Sequence, residues 1–400
     1  MIKNYDVAIV GGGIIGNSLA AHLASANLST VVINSTSLGM PASVAAAGLL
    51  TPFQLHELEN PLLKDFCFKS YEYFQTFYEM IKSNSKSANI DLGFRQPGSL
   101  YLIFSNFEIA QKENELKQFK SIIQGISFLN RQEVLKQEPL ITKEIIGAYS
   151  YPNEGFINNP RFLKAISSYC IEKKVTFLEK EVIEINIRKN RIESITLNNG
   201  EIISANKFVL SNGAWTNKLL KKIFNTNEDI IKSIKGEIVQ VEAISEQLLQ
   251  KIIFCSDGYI LPRPATNQFE KPSVLIGSTS EEVDIKDNTN IFNNTVSGVS
   301  TLTNLLQKLL PGYKNCPVIK LWAGLRPQTK DKLPILGHVE EIENLYCSTG
   351  HYRNGILMGP YSGKIIKDLI IENNLEYNIE PFRINRLFNS SYSKTLFASF

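Results

Sequence analysis

The sequence predicts an α/β protein in which a parallel sheet flanked by helices is interleaved along the chain with an α+β unit built on an antiparallel sheet. Three observations carry that prediction. The stretch Asp6-Val7-Ala8-Ile9-Val10 is apolar after its first residue and shows no polar alternation, as in a parallel strand buried on both faces. A second such run, Lys207-Phe208-Val209-Leu210, stands far downstream and again leads into a glycine and a helical stretch. From Ile234 to about Leu325 short apolar strands alternate with turns, as in an antiparallel sheet.

The first strand runs straight into Gly11-Gly12-Gly13-Ile14-Ile15-Gly16, with glycines at the spacing G-x-G-x-x-G. Gly11 permits a tight turn, Gly13 lets the backbone approach a diphosphate, and Gly16 lets the following helix pack closely. Leu19, Ala20, Leu23 and Ala24 recur at helical spacing from Gly16 to about Asn27, and Val31-Val32-Ile33 supplies a second parallel strand. The unit is Rossmann-like, with a dinucleotide expected at the helix N-terminus, where free N–H groups and the positive end of the dipole point. The alternative is a glycine turn that merely packs a helix. Where an acidic residue usually holds the ribose, about 20 residues on, the chain has Asn34-Ser35. An Asn amide can accept from one hydroxyl and donate to another group.

At 400 residues and 43% hydrophobic composition, the chain exceeds one ordinary domain, and two are expected. A net charge of +3 with no basic stripe beside aromatic platforms argues against nucleic-acid binding. No apolar run approaches the roughly 18 residues of a membrane span, and the N-terminus enters a strand without a leader pattern, so a cytoplasmic location is expected. Cys67, Cys170, Cys255, Cys316 and Cys347 are scattered with no C-x-x-C pair, and His22, His56, His338 and His351 have no metal-ligand spacing. Neither a disulfide framework nor a metal centre is expected.

Further along, Ala42-Ser43-Val44-Ala45-Ala46-Ala47-Gly48-Leu49-Leu50 is a dense row of small residues. It admits a flat ligand or another backbone, with Ser43 offering a hydroxyl; a tightly packed helix start is the other reading. Phe66, Phe68, Tyr71, Phe74, Phe77 and Tyr78 mark a helix from Pro61 to about Ser83, its aromatic stripe read as core. Asn84 to Asp91 is a polar break and the first domain crossing. A strand from Gly98 to Phe104, a charged helix from Glu108 to Gln124 and a short helix from Gln132 to Gln137 follow. Arg161 to Lys173 reads as a helix, Val175 to Leu178 and Glu181 to Ile185 as strands. A hairpin pairs Arg191 to Leu197 with Glu201 to Ser204 about Asn198-Asn199-Gly200. Strands at Glu237 to Val241, Gly258 to Leu261 and Ser273 to Ile276, and a helix from Asn293 to Leu310, fill the middle third. A strand at Leu345 to Cys347 and a last helix to about Asn373 close the fold. The expected division is a cofactor domain of 1–84, 150–222 and 326–388, a substrate domain of 85–149 and 223–325, and a tail of 389–400.

The glycine unit, the small-residue row, Ser211-Asn212-Gly213-Ala214-Trp215, Trp322-Ala323-Gly324-Leu325-Arg326-Pro327 and Gly350-His351-Tyr352-Arg353-Asn354-Gly355-Ile356-Leu357 occur in this order. Together they resemble the D-amino-acid-oxidase-like FAD-dependent oxidoreductases, and within them the glycine oxidases of thiamine biosynthesis, from about Met1 to Leu387. The resemblance implies FAD contacts at Ile14 and Ile15, Asn34 and Ser35, Ala42 and Ser43, and Ala47, Gly48 and Leu49. It also implies an adenine contact at Val182 and flavin contacts at His351, Tyr352, Arg353, Asn354, Gly355, Ile356 and Leu357, with Gly213 beside the cofactor. The substrate carboxylate falls to Arg326 and Arg353, with Tyr259 nearby. Structural alternatives stand beside these: an ion pair for Arg326, a phosphate or loop carbonyl for Arg353, an ordinary sheet aromatic for Tyr259. His351 reads as a backbone contact to flavin rather than a base.

The residue types suit the chemistry. An arginine fork holds a carboxylate by two parallel hydrogen bonds, which fixes the α-carbon over a flavin that itself accepts hydride. No protein acid, base or nucleophile is required. The helix near Gly355 would aim its positive end at the flavin pyrimidine carbonyl. The resemblance to glycine oxidases implies a pocket methionine where Ser280 stands and a histidine where Asp257 stands, and these departures widen the expected substrate range to sarcosine, proline or a small D-amino acid. No cysteine occupies Gln328-Thr329-Lys330, where related enzymes attach flavin, so FAD is expected to be noncovalent. The expected activity is oxidation of glycine or a similarly small amine, with oxygen as acceptor and a homo-oligomer, a tetramer foremost, as the assembly. The alternatives are a D-amino acid dehydrogenase that passes electrons to a quinone or carrier, and a non-oxidising FAD-binding protein with a structural or tRNA-modification role.

Overall fold

The computed structural model describes residues 3–35, 40–53, 60–83, 90–117, 125–244, 248–266, 270–285 and 290–388. An eight-stranded sheet carries parallel strands in the order Leu345–Thr349, Ile202–Leu210, Lys3–Val10, Thr30–Ile33 and Thr176–Leu178. Ile335–His338 adds an antiparallel edge, and Val182–Arg188 with Arg191–Leu197 forms a ribbon against Ile202–Leu210. The helices Ile14–Ser25, Pro61–Ser83, Asn159–Glu172 and Gly355–Ile370 cover one face. Phe66, Phe74, Phe77 and Tyr78 of the aromatic stripe are buried among them. The other face buries Leu219, Leu220, Ile223 and Phe224 of the helix Thr216–Phe224.

A nine-stranded sheet forms the second layer. Near one edge, the long strand Ile231–Glu242 pairs on one side with the edge strand Val318–Thr329 and on the other with Ser273–Gly277 and Glu281–Val283. Gly258–Arg263, Ile252–Cys255, Ser99–Ile103, Gly147–Tyr151 and Ser127–Asn130 continue it. The helix Val296–Leu309 packs Leu302, Leu305, Leu306 and Leu309 onto its outer face.

Several elements differ from the sequence expectation. The hairpin strand at 201–204 and the buried strand at 207–210 are one continuous strand, Ile202–Leu210. Its two halves read differently because the first pairs with the ribbon and the second lies between parallel strands. The charged helix expected from 108 to 124 is described as Asn106–Lys117, and 118–124 lie outside the described residues, as do most of the polar break at 84–91 and the tail 389–400. The divisions expected after 149 and 325 fall inside the strands Gly147–Tyr151 and Val318–Thr329, both belonging to the nine-stranded sheet. Pro327 lies opposite Ser233 on the edge strand of this sheet, a position at which proline is tolerated.

Candidate active site

A cavity of about 580 Å³ runs from the glycine turn to the inner face of the nine-stranded sheet. At one end, Gly11 takes φ +115°, and a Cβ there would lie 2.4 Å from the Ser211 oxygen. A Cβ on Gly16 would lie 1.9 Å from the Gly11 oxygen, so this glycine seats the helix on the turn itself. The turn is braced by Asn17 Nδ2, which donates to the Gly12 oxygen at 2.6 Å, and by Ser211 Oγ, which donates to the Gly11 oxygen at 3.0 Å. The helix Ile14–Ser25 has no side-chain cap and no acid in its first turn, and its first intrahelical bond runs from Asn17 N–H to Gly13. Ser43 Oγ accepts the Ile14 N–H at 2.9 Å. The N–H groups of Ile15 and Gly16 therefore have no helical acceptor, which suits an anion.

Asn34 Oδ1 accepts the Gly12 N–H at 3.0 Å. One lone pair of that oxygen is thus taken by the turn, and the amide Nδ2 remains a donor for a ribose oxygen. Ser35, Ala42, Ala47, Gly48, Leu49, Val182 and Gly213 line the same cavity, as do His351, Tyr352, Asn354, Gly355 and Ile356. Leu357 does not; it is buried in the core between the helices and the parallel sheet. Gly16 likewise lies behind the turn rather than on the cavity wall.

At the far end stand Arg326, Tyr259 and the exposed Arg353. Arg326 Nη2 donates to Ser278 Oγ at 2.8 Å and Nη1 to the Thr279 oxygen at 3.1 Å. A Cβ on Gly236, across the strand pair, would lie 1.9 Å from Arg326 Nη2, and one on Gly277 would lie 2.3 Å from the Tyr259 hydroxyl. Two glycines thus clear the slots into which these side chains fit. Burial pushes the Tyr259 phenol above its ordinary pKa, opposed by the nearby charges of Arg326 and Arg353. Burial holds His351 down to about 3, its Nε2 is 2.9 Å from Ser362 Oγ, and its Nδ1 has no partner. The carboxylates on the wall, Glu181 and Asp257, are ion-paired with Lys218 and Lys308. Ser280 Oγ lies 3.3 Å from the Tyr352 hydroxyl.

Sequence reasoning missed Gly236, Ser278, Asn159 and the full part played by Arg263. No local pattern in the sequence marks them, because each acts across sheets or between segments remote in sequence.

A phosphate-ready turn joined to an arginine-bearing pocket defines a nucleotide-cofactor enzyme. The chain matches the FAD dependent oxidoreductase family over residues 6–369 and belongs to it. FAD is accordingly its cofactor, and the cradle of glycines and free helix N–H groups fits the diphosphate. The chain is 28% identical to the glycine oxidase of Geobacillus kaustophilus over 390 residues, 96% of this chain and 98% of the relative. It is 27% identical to the glycine oxidase of Bacillus subtilis over 391 residues, at 96% and 98% coverage. With the bifunctional protein ThiO/ThiG of Nostoc it shares 27% identity over 393 residues, 95% of this chain and 55% of that longer protein. The crystal structure of the Geobacillus kaustophilus glycine oxidase superposes with a TM-score of 0.86 at 27% identity, over 97% of this chain and 100% of that one. Glycine oxidase from Bacillus cereus superposes at 0.82 with 30% identity, over 93% and 96%. Among the described residues no helix is long and apolar enough to cross a membrane.

Proposed function

We propose that the chain catalyses oxidative deamination of glycine or a similarly small amino acid, with glycine, O2 and water giving glyoxylate, ammonia and hydrogen peroxide. The observation that carries this reading is the anchored Arg326 guanidinium beside Tyr259, at the opposite end of one cavity from the glycine turn. Arg326 and Arg353 take the substrate carboxylate, and the neutral Tyr259 phenol is placed to donate to it. FAD, when bound, accepts the hydride and returns the electrons to oxygen. The protein's own part is orientation and charge. Two wall carboxylates are tied up in ion pairs and His351 is too weakly basic to act as a base, which agrees with hydride chemistry that needs no protein proton acceptor.

Noncovalent attachment is supported by the absence of cysteine from the cavity wall among the described residues. The likeness to glycine oxidases and to ThiO/ThiG supports a role in supplying the imine for thiazole formation; the reading takes the protein as a cytoplasmic homo-oligomer, which light scattering of the purified protein tests for its assembly. The deciding experiment is an anaerobic absorbance titration with glycine, sarcosine, D-alanine and D-proline, followed by air. Bleaching by glycine, with reoxidation and peroxide in air, is the expected result. Bleaching without reoxidation by oxygen would instead indicate a dehydrogenase, and no bleaching by any of the four would refute amine oxidation.

A further inference from the structure

The small-residue segment bordering the cavity is held by its carbonyl oxygens. Asn159 Nδ2, at the start of a helix of the first layer, donates to the Ser43 oxygen at 3.2 Å and to the Ala46 oxygen. Trp322 Nε1, from the edge strand of the second layer, donates to the Ala45 oxygen at 2.8 Å. The Arg263 guanidinium donates to the Ala47 oxygen and, at 3.0 Å, to the Ile157 oxygen. The Ile157 N–H in turn donates to the Gly48 oxygen at 2.9 Å.

Every carbonyl from Ala45 to Gly48 is therefore engaged, and none of Asn159, Ile157, Arg263 and Trp322 lines the cavity, whereas Ala47, Gly48 and Leu49 do. In a trans peptide the C=O and the next N–H point in opposite directions. Drawing the oxygens of Ala46, Ala47 and Gly48 away from the cavity turns the N–H groups of Ala47, Gly48 and Leu49 toward it. Among the described residues the N–H groups of Ala47 and Gly48 have no partner.

Arg263 adds a second observation. It is a part-buried guanidinium whose pKa burial lowers to about 10, it lies 5.6 Å over the Phe156 ring and bonds two carbonyls, and among the described residues no carboxylate pairs with it. Neutral donors would hold two carbonyls without the cost of burying an unpaired charge.

We propose that Arg263, seconded by Asn159 and Trp322, is a positioning residue that holds the Ala47–Leu49 peptides with their N–H groups toward the bound flavin and so raises the flavin's affinity for electrons. The proposal rests on the reading that the flavin lies against this segment. Oriented N–H dipoles and a desolvated positive charge behind them stabilise the negative charge that reduction adds, and they do so without reorganising.

The test is the two-electron reduction potential of purified holoprotein, measured by equilibration with reference dyes, in wild type, Arg263→Met, Arg263→Lys and Trp322→Phe. Arg263→Met is expected to lower the affinity for reduced over oxidised flavin at least tenfold, a fall of about 30 mV. Arg263→Lys keeps the charge and one carbonyl bond and should recover half or more of that loss on a logarithmic scale, while Trp322→Phe should lower the ratio two- to threefold. Should Arg263→Met fail to fold, the lysine and phenylalanine variants carry the same test. Ratios within 1.5-fold of wild type in the variants that retain FAD would overturn the proposal. Hydrogen exchange of the wild type separates the underlying reading: FAD should protect the amides of residues 47–49. No protection would remove the flavin from this segment, whereas protection with an unchanged potential would overturn the role of Arg263 alone.

Discussion

Replacing Gly236 by alanine tests the substrate end of the site without touching a polar group. The added Cβ would stand 1.9 Å from Arg326 Nη2 and 2.1 Å from both Cζ and Nη1, against an ordinary separation of roughly 3.5 Å. The guanidinium must therefore retreat by about 1.5 Å. It can do so because it is the end of a flexible side chain, so the fold should survive with a small loss in melting temperature. The retreat separates it from Ser278 Oγ and the Thr279 oxygen, the two groups that aim it. A misplacement of about 1 Å at a positioning group costs on the order of 100-fold, or about 2.7 kcal/mol at 1.36 kcal/mol per tenfold. Anaerobic stopped-flow reduction by glycine should show the second-order rate of flavin bleaching reduced about 100-fold in Gly236→Ala, with FAD affinity within a few-fold of wild type. A rate within threefold of wild type would refute the argument that this glycine makes room for a carboxylate-binding arginine.

Three further outcomes follow from the same geometry. Arg326→Lys removes the planar fork and one of its two anchors, so apparent substrate affinity in the bleaching titration should weaken by about 2 to 3 kcal/mol, with smaller effects on FAD binding; an unchanged titration would place the carboxylate elsewhere. Gly16→Ala sets a Cβ 1.9 Å from the Gly11 oxygen, a backbone atom that cannot step aside, so FAD affinity by fluorescence titration should fall at least tenfold. Glu138 accepts the N–H groups of Gln250 at 3.0 Å and Lys251 at 2.6 Å, and burial raises its pKa to about 6. Because the folded pKa lies above the unfolded value, the wild type loses stability as pH rises through about 6. The excess melting temperature of Glu138→Gln over wild type should accordingly grow between pH 5 and pH 8, by the equivalent of at most about 2 kcal/mol, and a difference independent of pH would exclude the charge as its cause.

The chain by itself determined the elements whose signals are local. The strand Lys3–Val10, its glycine turn and the helix Ile14–Ser25 follow from a buried apolar run and from backbone shapes that glycine adopts at Gly11. The aromatic helix Pro61–Ser83 follows from helical spacing. The motifs ending in Arg326 and in Ile356 also reach the cavity wall, and Leu357, one residue further, turns inward because a helix rotates each successive side chain by about a third of a turn. Only the tertiary structure decided how those parts are aimed. Asn34 reads in sequence as a candidate ribose contact, and the structure adds that its amide oxygen accepts the Gly12 N–H, a bond made by the packing of strand end against turn. Arg326 reads in sequence as a candidate carboxylate ligand, but its direction is set by Ser278 and Thr279, in the link between the strands Ser273–Gly277 and Glu281–Val283, and by the empty side of Gly236 on the neighbouring strand. The carbonyl bonds from Asn159, Arg263 and Trp322 join segments more than a hundred residues apart in sequence. Such interactions have no periodicity and no spacing to read, because hydrogen bonds between distant segments depend on where the two sheets meet, and that is settled by the burial of both their faces together.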